Sequence, residues 1–245
     1  MRQLWVMALL AFASTASYSA EPAKAADPRA EIAKKVPGAK IEDVRPSPVK
    51  GIYEVRMGSE SAYVTADARY VFSGDLYDLD SKENLTEQAR VGERRSVLAK
   101  LDEKEMIIFS PDKTDHTITV FTDVDCGYCR KLHGEMDQLT KLGVRVRYMA
   151  YPRSGPGSPD WAKMETVWCS KDRKGAITKA KLGQPVSGEK CASTPVAKHF
   201  QLGETMGVRG TPAIFTMSGD YIGGYLPPQE MKQRLDELKA EAKAN

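Results

Sequence analysis

Two kinds of periodicity divide the chain. Tyr53, Val55 and Met57 point one way while Glu54 and Arg56 point the other, an alternation of period two. Ala62, Val64 and Ala66 repeat it, and Tyr70 and Phe72 follow, with Gly58, Asp67 and Gly74 as turn residues. Ahead of this run, Asp27-Pro28 fits a helix start, Ile32 and Val36 share a face, and Pro37-Gly38 stops the helix. The pattern predicts a helix followed by a small antiparallel sheet with one dry face. From Ser81 the period becomes helical. Between Leu85 and Lys104, Val91, Leu98 and Leu101 fall on one side, ringed by Arg90, Arg94, Arg95, Lys100 and Glu103, with Gly92 as a weak point. Such a mostly polar helix either bridges two domains or lies on the surface of one.

Beyond Glu105, strand and helix signals alternate. Thr117–Thr122 is a compact β-rich run. Leu132, Met136 and Leu139 then recur at helical spacing until Gly143, and Val144–Ala150 alternates as a second strand. Pro152–Leu202 is irregular and then helical. Ala213–Thr216 is a third strand, Asp220–Gly224 turns into a fourth, and Pro228 opens a last helix with Met231, Leu235 and Leu238 inward. Strand, helix, strand, a long helical insertion, a hairpin and a helix describe an α/β domain of thioredoxin type. The whole chain is thereby expected to be α+β.

Composition narrows the class. At 245 residues, 41% hydrophobic and 28% charged, the chain is ordinary globular material. Four cysteines are too few for a disulfide knot, and 36 basic against 33 acidic residues give a net charge of +3, no electrostatic case for nucleic acid. The first twenty residues differ. Arg2 precedes ten apolar residues, Leu4–Ala13, and small residues follow. Ten are too few to span a bilayer, so 1–20 reads as a secretory signal peptide with the cut after Ala16, Ser19 or Ala20. A short anchor or a buried helix fits less well with the loose stretch after Glu21. Export places the mature protein in an oxidising compartment, without stable membrane insertion.

Cys126-Gly127-Tyr128-Cys129 lies where a strand ends and a helix begins. Free N–H groups and the positive end of the helix dipole favour a thiolate there, and helix N-termini in this motif lower a cysteine pKa from about 8.5 to about 3.5–7.5. Cys126, at the solvent-facing mouth, is the expected nucleophile, and Cys129 its resolving partner. A structural staple or half a zinc site are the alternatives. Zinc needs four ligands, no second close pair is present, and His133 reads as a solvated helix residue; no metal or cofactor is called for. Cys169 and Cys191 are expected to form a structural bridge, a second redox pair being the alternative. Pro212, in Gly210-Thr211-Pro212-Ala213, suits a strand start and is a candidate cis proline, which would let Thr211 present its backbone to an extended peptide.

These residues carry a resemblance. Arg45–Gly51, Glu105–Ile107, Ile118–Cys129, Lys131–His133, Tyr148–Arg153, Val167–Asp172, Gly210–Pro212 and Gly224–Pro228 occur in the order found in the bacterial periplasmic disulfide isomerases of the DsbC/DsbG family, and the chain resembles them nearly end to end. The resemblance implies a cystatin-like dimerisation domain over 21–82, a linker helix over 83–104 and a thioredoxin-fold catalytic domain over 105–245. It also implies a homodimer whose cleft holds misfolded exported proteins, chaperone activity beside isomerisation, and a membrane reductase, DsbD, as electron donor. Carried onto this chain, Cys126 attacks a wrong disulfide and Cys129 resolves. Gly127, Tyr128, Thr211 and Pro212 contact the client, Cys169–Cys191 is structural, and Gly51 lets a partner strand approach. A relative that protects single cysteines (DsbG-like), and a periplasmic holdase without catalysis, are the competing readings. Val120 stands where thioredoxin has a buried aspartate, and Asp123 and Asp125 read as solvated. Water or backbone is therefore expected to take the Cys129 proton.

Overall fold

The computed structural model describes residues 27–186, 188 and 191–244, so the expected signal peptide lies outside the described residues. Helix α1 (Pro28–Lys35) begins as its sequence dictates: the Asp27 carboxylate accepts the Arg29 N–H, and Ile32 is buried. Four strands follow, β1 (Val44–Pro46), β2 (Ile52–Met57), β3 (Glu60–Thr65) and β4 (Val71–Ser73), in that order across an antiparallel sheet. Ile32, Val44, Val55 and Val64 pack together as its core. Gly51 enters β2 at φ +81°, a conformation that a side chain disfavours, and an added Cβ would meet nothing within 4 Å.

The expectation of one dry face needs two corrections. Glu54 and Arg56, on the opposite face, are also buried, because Arg56 joins Glu54 at 2.5 Å and Glu93 of the next helix at 2.7 Å. Pairing makes that burial tolerable. Tyr70 and Phe72, expected on the dry face, are exposed together with Val71. They belong to the edge of the sheet, where β4 has β3 on one side only.

A small hairpin of β5 (Tyr77–Asp78) and β6 (Glu83–Asn84) leads into α2 (Leu85–Leu98), which Asn84 caps. This helix runs unbroken through Gly92 and touches both halves of the chain. Tyr63 and Thr86 share a 2.5 Å hydrogen bond on one side. On the other, Leu98 packs with Phe121, Met149 and Phe215. Gly219 fits under α2 only as glycine: its φ is +99°, and a Cβ would lie 2.2 Å from the Val91 carbonyl.

The second sheet contains β7 (Ile107–Phe109), β8 (His116–Thr122), β9 (Val144–Ala150), β10 (Ala213–Thr216) and β11 (Tyr221–Gly223), in the order β11-β10-β8-β9-β7. Only β8 and β9 pair in parallel. Strand β7 is an element that the alternation did not predict. The single helix expected between β8 and β9 is two, α3 (Gly127–Gly134) and α4 (Met136–Lys141), because the backbone breaks at Glu135. Helices α5 (Pro159–Cys169), α6 (Arg173–Lys181) and α7 (Val196–Thr205) form the insertion, and α8 (Pro228–Ala244) follows β11. The core joins Ile118, Val120, Leu132, Val146, Trp168 and Met231 between sheet and helices. The architecture is α+β, with parallel β8 and β9 delivering their C-terminal ends to one edge. Among the described residues no helix is long and apolar enough to cross a membrane.

Candidate active site

Strand β8 ends at Thr122, the chain turns through Asp123–Asp125, and Cys126 caps α3. The Cys126 sulfur accepts the backbone N–H of Cys129 at 3.3 Å, doing for the helix what a serine or aspartate oxygen does elsewhere. As a thiol it donates to the Thr211 carbonyl at 3.1 Å. The Thr211–Pro212 peptide is cis and leads into β10, so the loop before that strand lies against the cysteine.

Cys126 does not face solvent as expected from its place at the helix mouth. It is 3% exposed, because the Thr211 backbone lies against its sulfur. Its acidity fits the expectation better. The Cys126 pKa is lowered to about 5, first by hydrogen bonding with the Cys129 side chain. Burial opposes this; hydrogen bonding with Thr211, the Cys129 backbone and the positive charge of Arg153 add to it. Cys129 is wholly buried, and burial pushes its thiol up, followed by its bond to Cys126. One sulfur is thus ionised near neutral pH and the other holds its proton.

Tyr128 is 65% exposed and stacks on Tyr225, with ring centres 6.1 Å apart. The Lys131 ammonium sits 4.6 Å over the Tyr225 ring, and the Tyr225 hydroxyl donates to Glu135. Gly127 is exposed at the first turn of α3, while Pro212 is buried. Cys169, at the end of α5, is bonded to Cys191 with Cα atoms 5.5 Å apart. Gly51 lies in the turn that leads into β2 of the first sheet and is not part of this group.

Of two charged groups near the sulfurs, the sequence pattern misplaces one and misses the other. Asp123 is buried rather than solvated. One carboxylate oxygen accepts the Arg153 Nε–H at 3.0 Å and its backbone N–H at 3.1 Å, and the other accepts the Asp125 N–H at 2.8 Å. Lys181, at the end of α6, is buried beneath the same loop. A signal for Lys181 existed: it lies four residues after Ile177 on the stripe that also holds Ala180. His133 is not solvated either; its ring bonds Thr178 at 2.9 Å and Tyr148 at 3.3 Å, and burial lowers its pKa to about 4, so it is neutral.

Comparison with known proteins agrees with this architecture. Residues 19–87 match the disulfide bond isomerase protein N-terminal domain, and residues 103–239 match the thioredoxin-like domain. The thiol:disulfide interchange protein DsbC of Escherichia coli K12 is 38% identical over 202 residues, 82% of this chain and 83% of that one. The DsbC of Dickeya dadantii is 39% identical over 209 residues, covering 84% and 85%. The chain belongs to the DsbC family. Its activity is thiol–disulfide exchange of the isomerase class. A solved structure of a disulfide interchange protein from Neisseria gonorrhoeae aligns at 28% identity with a TM-score of 0.49, covering 55% of this chain and 98% of that one. In this DsbC-family chain the two family matches flank the middle and end of α2, which packs against both sheets.

Proposed function

We propose that the chain is a periplasmic protein disulfide isomerase that rearranges wrong disulfides in exported proteins through Cys126 and Cys129. Cys126 as thiolate attacks a client disulfide; a Cys126–client bond forms, and the displaced client sulfur leaves as a thiolate free to attack elsewhere in the client. If rearrangement stalls, Cys129 attacks Cys126 and releases the client reduced. The observation that carries this reading is the Cys126 sulfur at the cap of α3, held by the Cys129 N–H and lying 3.1 Å from the Thr211 carbonyl. A client strand pairing with Thr211 beside Pro212 would contact that sulfur, and the exposed Tyr128 ring gives its side chains an apolar surface. Cys169–Cys191 serves as a structural bridge.

Division into 21–82, 83–104 and 105–245 is supported by the separate cores of the two sheets and by α2 between them. The exposed Tyr70, Val71 and Phe72 at the β4 edge support a homodimer built on the first sheet, and the open space around Gly51 leaves room there for a partner strand. The apolar run Leu4–Ala13 supports export. The family likeness supports misfolded exported proteins as clients, chaperone action and reduction by the membrane protein DsbD.

Refolding of a protein with scrambled disulfides tests the assignment. Wild type restores the native pairing, Cys126→Ser gives none, and Cys129→Ser retains part because rearrangement can finish without the escape step. Equal activity of Cys126→Ser and wild type would refute it.

A further inference from the structure

Lys181 raises a question that the cysteines do not answer. Its side chain is 3% exposed. Its Nζ donates to the Thr122 hydroxyl at 2.8 Å and to the Asp123 carbonyl at 3.4 Å, and lies 5.4 Å from the centre of the Tyr148 ring. Neither oxygen carries a full charge, and the nearby Asp123 carboxylate is taken by Arg153. Burying an ammonium without a counter-charge is costly. The Thr122 hydroxyl that receives Lys181 also lies beside the Cys129 side chain and favours its thiolate. A lysine, a hydroxyl and the buried resolving thiol are therefore neighbours, and the lysine gains a counter-charge whenever that thiol ionises.

We propose that Lys181, acting through the Thr122 hydroxyl, receives the proton of Cys129 when Cys129 attacks the mixed disulfide at Cys126. The Cys129 proton moves to the Thr122 oxygen while the Thr122 hydroxyl proton moves to the neutral amine of Lys181, which becomes an ammonium. The Cys129 thiolate then forms the Cys126–Cys129 bond as the Cys126–client bond breaks. The cysteine pair is oxidised by two electrons and the client sulfur leaves reduced, as a thiolate that takes its proton from solvent. Lys181 is thus a positioning residue for the resolving step.

The surroundings favour this assignment over the nearer carboxylate. The Asp123 carboxylate is occupied by three N–H groups, from Asp125 and Arg153, and none of its hydrogen bonds reaches Cys129. Burial lowers the Lys181 pKa to about 8, against the pull of Cys129, Cys126 and Asp123, so a neutral amine is accessible near physiological pH. Arg130 on α3 pushes in the same direction as burial, while His133 is neutral and Tyr148 stays protonated because it is buried. A cleft of about 340 Å³ lined by Phe109, His133, Met136, Thr178 and Lys181 lies against this group.

The proposal rests on Cys126 as nucleophile, and one experiment separates the two. The reduced full chain is mixed with dithiobis-nitrobenzoate in a stopped flow. The first burst of thionitrobenzoate reports attack by Cys126; the second reports Cys129 displacing the reagent half left on Cys126. In Lys181→Met the first burst is expected to be nearly unchanged, while the second slows about 100-fold and its pH midpoint moves up. Thr122→Val, a change of nearly equal volume, is expected to slow the second burst as well, and to add little to Lys181→Met. A second burst with the wild-type rate and midpoint in both variants overturns the proposal. So does slowing with an unmoved midpoint, or a midpoint moved by Asp123→Asn and not by Lys181→Met. Loss of the first burst in the wild-type chain would instead refute Cys126 as nucleophile.

Discussion

The Cys126 sulfur accepts the backbone N–H of Cys129 across 3.3 Å. Because this bond strengthens as the sulfur gains charge, it ties helix α3 to the ionisation of Cys126. An ordinary cysteine titrates near about 8.5, and Cys126 near about 5. Its folded-state value is depressed, so the associated stability is present in full above about pH 8.5, shrinks as pH falls, and is lost below about pH 5. Iodoacetamide should therefore label Cys126 with a half-maximal rate near pH 5. The thermal stability gap between the reduced wild type and Cys126→Ser should be larger at pH 8.5 than at pH 4.5. A labelling midpoint at the ordinary thiol value would contradict the first expectation.

Arg153 links the same sulfur to the buried carboxylate of Asp123. Its guanidinium is half-exposed, and its charge helps to keep Cys126 ionised. Arg153→Met should raise the Cys126 labelling midpoint. It should also destabilise the fold by about 1 kcal/mol, a modest figure because solvent screens half of the pair. Urea unfolding at pH 7 and the labelling profile together check both effects. An unmoved labelling midpoint would remove Arg153 from the electrostatics of the site.

Much of this arrangement is visible in the sequence, and the exceptions share a cause. Period-two alternation marks β2, β3 and β9, and the Cys126–Cys129 spacing after a β-run marks the cap of α3. Strand β7 is missed because Ile107, Ile108 and Phe109 offer three apolar residues without alternation. The break at Glu135 is missed because Leu132, Met136 and Leu139 keep helical spacing across it. Asp123 looks like a solvated loop residue because the partner that allows its burial, Arg153, lies 30 positions away. Glu54 and Arg56 look like an outer face for the same reason, since Glu93 is supplied by α2. Local pattern reports burial of apolar groups well and burial of charge poorly, because paired charges depend on contacts that sequence distance conceals.

The Cys169–Cys191 bond closes a segment of 22 positions between the end of α5 and the start of α7. Constraining a loop of that size in the unfolded chain is worth about 3 kcal/mol in the chain-entropy model. The Cys169→Ala/Cys191→Ala double variant should lose stability of that order in urea. Its Cys126 labelling profile should match that of wild type, since neither residue contacts the Cys126 sulfur among its hydrogen-bond partners. A change in the steady-state rate of electron transfer from a reductant to Cys126, at matched folded fraction, would instead mark the pair as a relay.

Val71 and Phe72 lie on β4, at the open edge of the first sheet, and are 66% and 53% exposed. A free edge strand carrying bare apolar side chains invites pairing with another strand. A second copy of this chain presents the same edge, so a two-fold pairing covers both at once. Sedimentation of the mature wild-type chain at micromolar concentration should give a dimer. Phe72→Glu places a carboxylate opposite its own copy and should shift the equilibrium to a single chain. The Cys126 labelling midpoint should remain where it is, because Phe72 is remote in the fold from α3. Isomerisation of a scrambled client should fall several-fold if the two sites work on one client together, while reduction of a small disulfide is retained. A wild-type chain that sediments only as a monomer would overturn the dimer, and an exposed β4 edge would then need another occupant.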